Sequence, residues 1–483
     1  MLQERTLALV AKVMAKPARF QALIGTALLA LGGCSSNDDA EPKASGGTGV
    51  GPTMGNCQPM TATNTANLTV TRSDIGARRL GTLEGEQVIR IARDPSTGAV
   101  YYMNRLGQFW QLDLTTGTST LAEMGQTGDD FRGMVFGSDG TLYLLGHVGF
   151  DAADITVVIQ KGVPDGNGGR SWSTIATSEI YPAGGSDFDH RFAGLELSPD
   201  EQWLYFGSGS RTDHGEVERE LREVPLTAAI FRVPTDGKDI LLENDEAALE
   251  PYVFARGFRN PFDLALNAEG ELFATENGPD MDLPEEINWV REGMHYGFPW
   301  RFGAEDNPVL DPAYTGEGDQ RLHKGYQAAD RGSYTYDAEF PAAPAEPFVD
   351  AIVNHGPDAD RFRLPDSGVL DASNMGQTIA GLSAHRSPLG LSFDTEGVLC
   401  GDYQQAGFVL SYGPVLDVMG EPGGDLLMLN LSKEGGEYTM RATQLVIGFE
   451  TVVDSLMIGN KLYVIEFAPG GAVYELTFPL AAR

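Results

Sequence analysis

The stretch ENGPDMDLPEEINW, Glu276 to Trp289, holds five carboxylates (Glu276, Asp280, Asp282, Glu285 and Glu286) around the pair Gly278-Pro279 and a second proline. Oxygen ligands at this density suit a hard cation. A proline after glycine also fixes the chain, so a backbone carbonyl can be aimed. A solvated acidic loop accounts for the same composition. Upstream, GFRNP supplies Arg259, whose planar fork grips carboxylate oxygens, and Asn260, an amide donor. Seven histidines, His147, His190, His214, His295, His323, His355 and His385, are the candidates for a general base near neutral pH.

Such groups need a rigid frame, and the chain repeats one. A turn rich in Asp, Gly or Asn followed by an apolar-aromatic strand occurs six times. It reads DPSTGAVYYMN from Asp94, GSDGTLYLLG from Gly137, SPDEQWLYFGSG from Ser198, NAEGELFATENG from Asn267, DTEGVLCGDY from Asp394 and IGNKLYVIEF from Ile458. Each turn offers a residue tolerant of positive φ, and each run after it is β-prone. Further strands, RGMVF, AGLELS, PFDLAL and LGLSF, precede four of the turns. Roughly 70 residues per unit leave room for four short strands and long loops. The expected fold is therefore all-β, a six-bladed β-propeller over residues 66–483, with a β-sandwich as the competing arrangement. The longest interval, Arg301 to Phe348, is rich in Pro, Gly and Asp. It is expected to form excursions on one rim, where a rigid scaffold carries function.

The 483 residues carry a formal charge of −34. Nucleic acid and anionic lipid are disfavoured as partners, and an anionic ligand needs local cations to bind. Residues 1–33 combine Arg5, Lys12, Lys16 and Arg19 with the apolar run ALIGTALLALGG, too short to span a bilayer. Leu31-Gly32-Gly33-Cys34 then resembles a bacterial lipobox, with an ordinary signal peptide as the alternative. The expectation is a lipoprotein signal peptide over 1–33 and lipidation at Cys34. A flexible tether over 34–65 follows, whose polar composition buries little apolar surface. Ser35 points to the outer membrane, facing periplasm or surface, with membrane contact through the lipid only. Cys57 and Cys400 remain, either as a disulfide or as two buried thiols.

Between Gly257 and Trp300 the order is GFRNP, a strand pair, ENGP, an acidic linker, EEIN, then GMHYGFP. This resembles the glucose/sorbosone dehydrogenase family, densely here and as blade pattern from about residue 70 to 480. The resemblance implies a six-bladed propeller that binds pyrroloquinoline quinone (PQQ) and calcium and oxidises sugars. It implies that Arg259, Asn260 and Asn277 touch the cofactor. It places the carbonyls of Gly278 and Pro279 on a calcium ion beside it. It places Glu286 and the carbonyl of Tyr296 on a second, structural calcium, leaving Asp280, Asp282 and Glu285 solvated. His190, in DFDHRFAGLELSPD, matches the family's histidine ahead of a Gly-Leu strand. It is the expected base, taking the hydroxyl proton as hydride leaves, with Asp189 or Asp213 orienting its ring. Trp300, Tyr326, Tyr334 and Tyr336 are expected either to pack the rim or to stack on sugar or cofactor.

Two places depart from the family pattern. Ser210 stands where relatives have an aspartate. FVLSYGPVLDVMGEPGGDLL, Phe408 to Leu427, has no Lys or Arg where many relatives clamp the cofactor. His385, Arg386, Arg321 and Lys324 are the candidate replacements. The leading expectation is PQQ- and calcium-dependent oxidation of a sugar or polyol, with electrons leaving to a periplasmic acceptor. The alternatives are a non-catalytic, calcium-stabilised propeller binding a glycan or protein, and a calcium-dependent lactonase or esterase.

Overall fold

The turns form as their sequences require. In DPSTG, Asp94 Oδ1 accepts from the Ser96 N–H at 2.9 Å, and Gly98, at φ +77°, leads into the strand Val100–Asn104. Positive φ recurs at Gly140, Gly270 and Gly397 in the equivalent turns. Each such turn reverses the chain into an antiparallel partner. The computed structural model describes residues 57–482 apart from 59, 61, 123, 127, 149–153, 185–189 and 415. The expected signal peptide, Cys34 and the first part of the tether lie outside the described residues, as does Asp189.

Among the described residues, five sheets have four or more strands and one has three. Their innermost strands neighbour one another in a closed circuit: Val88–Arg93, Asp130–Phe136, Phe192–Leu197, Pro261–Leu266, Pro388–Phe393, Val452–Ile458 and back to Val88–Arg93. The architecture is an all-β propeller. The early strand Gly76–Thr82 pairs antiparallel with Ala472–Thr477, so segments from early and late in the chain complete one sheet. Inner strands such as Pro388–Phe393 are buried along their whole length. Rings interlock between sheets: Phe273 meets Phe393 at 5.2 Å and Tyr438 at 5.3 Å between centroids. Burying a side chain of that size contributes about 1.5–3 kcal/mol.

The chain joins the propeller upstream of residue 66, the boundary expected from composition. Gln58 N–H donates to the Leu480 carbonyl and Thr65 N–H to that of Ala77, both at 2.9 Å. Cys57 and Cys400 form a disulfide with Cα atoms 5.5 Å apart, closing a separation of 343 residues. Cross-linking so long a loop restricts the unfolded chain strongly. Replacing both cysteines with serine should lower unfolding stability by about 2–5 kcal/mol. Denaturant titration reads this directly, and an unchanged midpoint would show that the link contributes nothing.

The rim segment after Trp300 is mostly irregular, with a short helix at Gln327–Arg331. It is held down by apolar contacts among Met281, Leu283, Phe302, Val309 and Tyr334. The acidic stretch thus lies under the insertion rather than in solvent.

Candidate active site

In an antiparallel propeller sheet, the start of the innermost strand and the end of the next strand emerge on the same face. His190, Asn260 and Ser387 stand just before the strands Phe192–Leu197, Pro261–Leu266 and Pro388–Phe393. Arg105, Asn277 and Tyr412 stand just after the strands Val100–Asn104, Leu272–Glu276 and Gly407–Ser411. All six line one cavity of about 420 Å³, with Arg132 beside them. That volume falls within the range of small-molecule sites. Among the described lining residues there is no carboxylate, in a chain of net charge −34.

His190 is held from behind. A Cβ on Gly209 would stand 2.8 Å from the His190 Cβ, so glycine allows the close approach. His190 Nδ1 lies 3.3 Å from Ser210 Oγ, whose own hydroxyl donates to the Thr212 carbonyl at 2.6 Å. Ser210 therefore faces the ring as an acceptor. That puts the imidazole proton on Nδ1 and the lone pair on Nε2. Burial, and then the nearby Arg259 charge, push the His190 pKa well below its ordinary value. The ring is neutral at pH 7, the form a base requires.

Asp213, one of the two acids expected to orient this ring, does not. Its buried carboxylate takes Arg259 Nη2 at 2.6 Å, the Tyr334 hydroxyl at 2.6 Å, His214 Nδ1 at 3.0 Å and the Asp280 N–H at 3.0 Å. Burial alone would raise its pKa; the Arg259 charge, together with His214 and the Tyr334 hydroxyl, outweighs that and holds it well below the usual carboxylate range. Arg259 also donates through Nε to the Asp213 carbonyl at 2.8 Å and through Nη1 to that of Asn277 at 3.1 Å. Its guanidinium is 3% exposed and builds the cavity wall rather than lining it. Asn260 Nδ2 donates to Asn277 Oδ1 at 2.9 Å, and Asn277 Nδ2 to the Pro388 carbonyl at 2.9 Å. These two amides are locked together at the cavity.

The acidic stretch is not solvated. Asp280, Asp282 and Glu285 are 7%, 4% and 2% exposed. Asp280 accepts from the Ala328 N–H of the rim helix at 2.8 Å. Asp282 gathers His323 Nε2 at 2.9 Å, His385 Nε2 at 2.8 Å and Arg363 Nε at 2.8 Å. Glu285 takes the N–H groups of Gly278 at 2.8 Å and Ser387 at 3.2 Å. Composition suggested solvation because carboxylates are rarely buried; here each is buried because it has donors. Asp280, through Ala328, and Asp282, through His323, stitch the rim insertion to the sheet.

Glu276 and Glu286 face each other across paired strands and share Asn288 Nδ2, at 3.2 and 2.9 Å. Burial raises both pKa values, that of Glu286 to about 7. Asn288 Oδ1 is buried with no hydrogen-bond partner. Among the described residues, no group of three or more His, Cys, Asp or Glu side chains forms a metal cage. Tyr296 packs nearby in sequence, its hydroxyl on the Trp289 carbonyl at 2.5 Å.

The expected replacement cations are occupied elsewhere. Arg386 pairs with Glu421 and Asp425, Arg321 with Asp319, and His385 with Asp282; none of these, nor Lys324, lines the cavity. Arg105 and Arg132 line it instead. For Arg132 the sequence signal was a charged pair, Asp130 and Arg132, inside the strand DFRGMVF. The rim aromatics also pack locally. Tyr334 stacks on His214 at 3.9 Å, Tyr326 on His385 at 4.3 Å and Trp300 on Phe348 at 6.0 Å, while Tyr412 faces the cavity.

Residues 134–308, which contain His190 and the acidic stretch, match the family described as Glucose / Sorbosone dehydrogenase. The chain is similar to that family over this segment. It is 25% identical over 138 residues to quinoprotein glucose dehydrogenase B of Acinetobacter calcoaceticus, a match spanning 25% of this chain and 28% of that relative. The fold is similar to that of the soluble aldose sugar dehydrogenase from Escherichia coli in the apo-form: TM-score 0.51, 14% identity, 83% of this chain and 99% of that one. It is also similar to the PQQ domain of pyranose dehydrogenase from Coprinopsis cinerea: TM-score 0.53, 13% identity, 86% of this chain and 97% of that one. At these identities the likeness is one of fold.

Proposed function

We propose that this protein oxidises a hydroxyl of a sugar or polyol, using PQQ in the His190 cavity and calcium. The observation that carries the proposal is a neutral histidine at a cavity lined by two arginines and, among the described residues, by no carboxylate. PQQ, when bound, supplies a two-electron acceptor for hydride. His190 Nε2 takes the substrate's hydroxyl proton. Ser210 fixes its tautomer. Asn260 and Asn277 present amide groups at one wall, and Phe262, Phe467 and Tyr412 give that cavity flat apolar surface that excludes water. Arg259 acts through Asn277, whose carbonyl it holds.

Calcium fits two places in this reading. Gly278 and Pro279 follow Asn277 directly, and their carbonyls would hold an ion at the cofactor. Glu286 and the Tyr296 carbonyl would hold the second, with Glu276 and the unpartnered Asn288 Oδ1 as further oxygen donors. Calcium at a hundredfold excess over its Kd should add about 2.7 kcal/mol of stability. Chelation should then lower Tm, and Glu286→Gln should shrink that response by the share of the second ion. An equal response in the variant would remove Glu286 from the ligands.

We take the three-stranded sheet as the sixth blade, lacking its outer strand. We place the protein at the outer membrane through a lipid on Cys34, passing electrons to a periplasmic acceptor. Equilibrium titration of PQQ into the calcium-loaded protein tests the functional reading. Saturable binding is expected, and no binding would sink it.

A further inference from the structure

We propose that Arg105 and Arg132 hold the carboxylates of the cofactor, on the opposite side of the cavity from the basic residues expected in the C-terminal third. This rests on the PQQ reading above. Binding a tricarboxylate in so acidic a chain needs cations at the site. The segment Phe408–Leu427 has none, and the arginines nearest to it in the fold, Arg361, Arg363 and Arg386, meet Glu421, Asp282 and Asp425. Arg105 and Arg132 are the arginines that share the cavity with His190.

Their geometry is fixed in advance. Both are bridged by one carboxylate: Asp130 Oδ1 meets Arg105 Nε at 2.5 Å, and Asp130 Oδ2 meets Arg132 Nε at 2.7 Å. One aspartate therefore aligns two guanidinium planes side by side. Asp130 is positioned in turn by its strand, which pairs it with His147, and His147 Nδ1 lies 2.9 Å from the Asp130 carbonyl. Arg132 is anchored by its backbone, whose carbonyl accepts Arg90 Nε at 2.7 Å. An arginine fork meets a carboxylate through parallel N–H donors, the geometry a cofactor carboxylate requires. Asn260 and Asn277 face them across the cavity, which leaves a flat ligand gripped from both edges.

The test is a titration of PQQ and of its trimethyl ester into calcium-loaded wild type, Arg105→Gln and Arg132→Gln, each checked for an intact thermal transition. Each substitution should weaken PQQ binding about 10- to 100-fold, the value of a hydrogen bond to a charged group. The ester should bind wild type weakly and respond to neither substitution by more than about threefold. PQQ affinity within threefold of wild type in both variants would overturn the assignment, as would tight binding of the ester. Should Arg132→Gln fail to fold, Arg105→Gln decides alone, since that side chain sits on a turn at 13% exposure. If wild type itself does not take up PQQ, the dehydrogenase reading fails first, and the two failures are distinct.

Discussion

Replacing Asp213 with alanine should destabilise the protein by about 3–5 kcal/mol, the cost of breaking a buried ion pair from one side. The carboxylate has no solvent exposure and serves Arg259, His214, Tyr334 and the Asp280 N–H at once. Without it, Arg259 remains buried with its charge uncompensated, and the rim segment loses the Tyr334 anchor. The pH dependence has a definite sign. The folded pKa of Asp213 is depressed, first against burial and by Arg259. Its contribution is therefore fully present above the unfolded value of about 3.9 and is lost as pH falls through the folded value. Wild type should lose stability on acidification, and the variant should show less of that loss. Thermal midpoints of both proteins between neutral and acidic pH measure it. Parallel curves would mean that Asp213 is not the group that titrates.

His190→Ala should reduce kcat/KM about 10²- to 10⁴-fold, the usual contribution of a positioned general base, while leaving PQQ affinity close to wild type. The ring contributes a lone pair at Nε2, and Ser210 supports it without depending on it. Because burial pushes the His190 pKa well below the ordinary range, the wild-type rate should stay level as pH drops through 6.5 and decline only at lower pH. A limb at the ordinary histidine value would place the base elsewhere. Loss of PQQ binding in the variant would recast His190 as a cofactor contact.

The propeller was legible because its signals are local. Turns such as Asp94–Gly98 and Asn267–Gly270 fix where the chain reverses, and the apolar runs after them have few alternatives to a strand. The cavity was legible in part: His190, Asn260 and Asn277 were found from one dense stretch and one histidine context, and the structure brings all three to one cavity. The remainder depends on long-range pairing. Asp282 looks like a surface acid until His323, His385 and Arg363 arrive from 41, 103 and 81 residues away. Arg259 looks like a ligand group until Asp213, 46 residues upstream, claims it. Arg105, at a turn, and Arg132, in the strand Asp130–Phe136, were passed over because nothing local shows that both face one cavity. Which of two charged groups faces a cavity is decided by who else is buried beside it, and no local pattern records that.

The most direct test is anaerobic mixing of the PQQ- and calcium-loaded protein with a panel of aldoses and polyols, following the absorbance of the oxidised quinone. The account predicts that at least one of them bleaches the quinone stoichiometrically in wild type and does so far more slowly in His190→Ala. PQQ that stays bound and oxidised in the presence of every sugar would contradict it, and the propeller would then be a binding protein rather than a dehydrogenase.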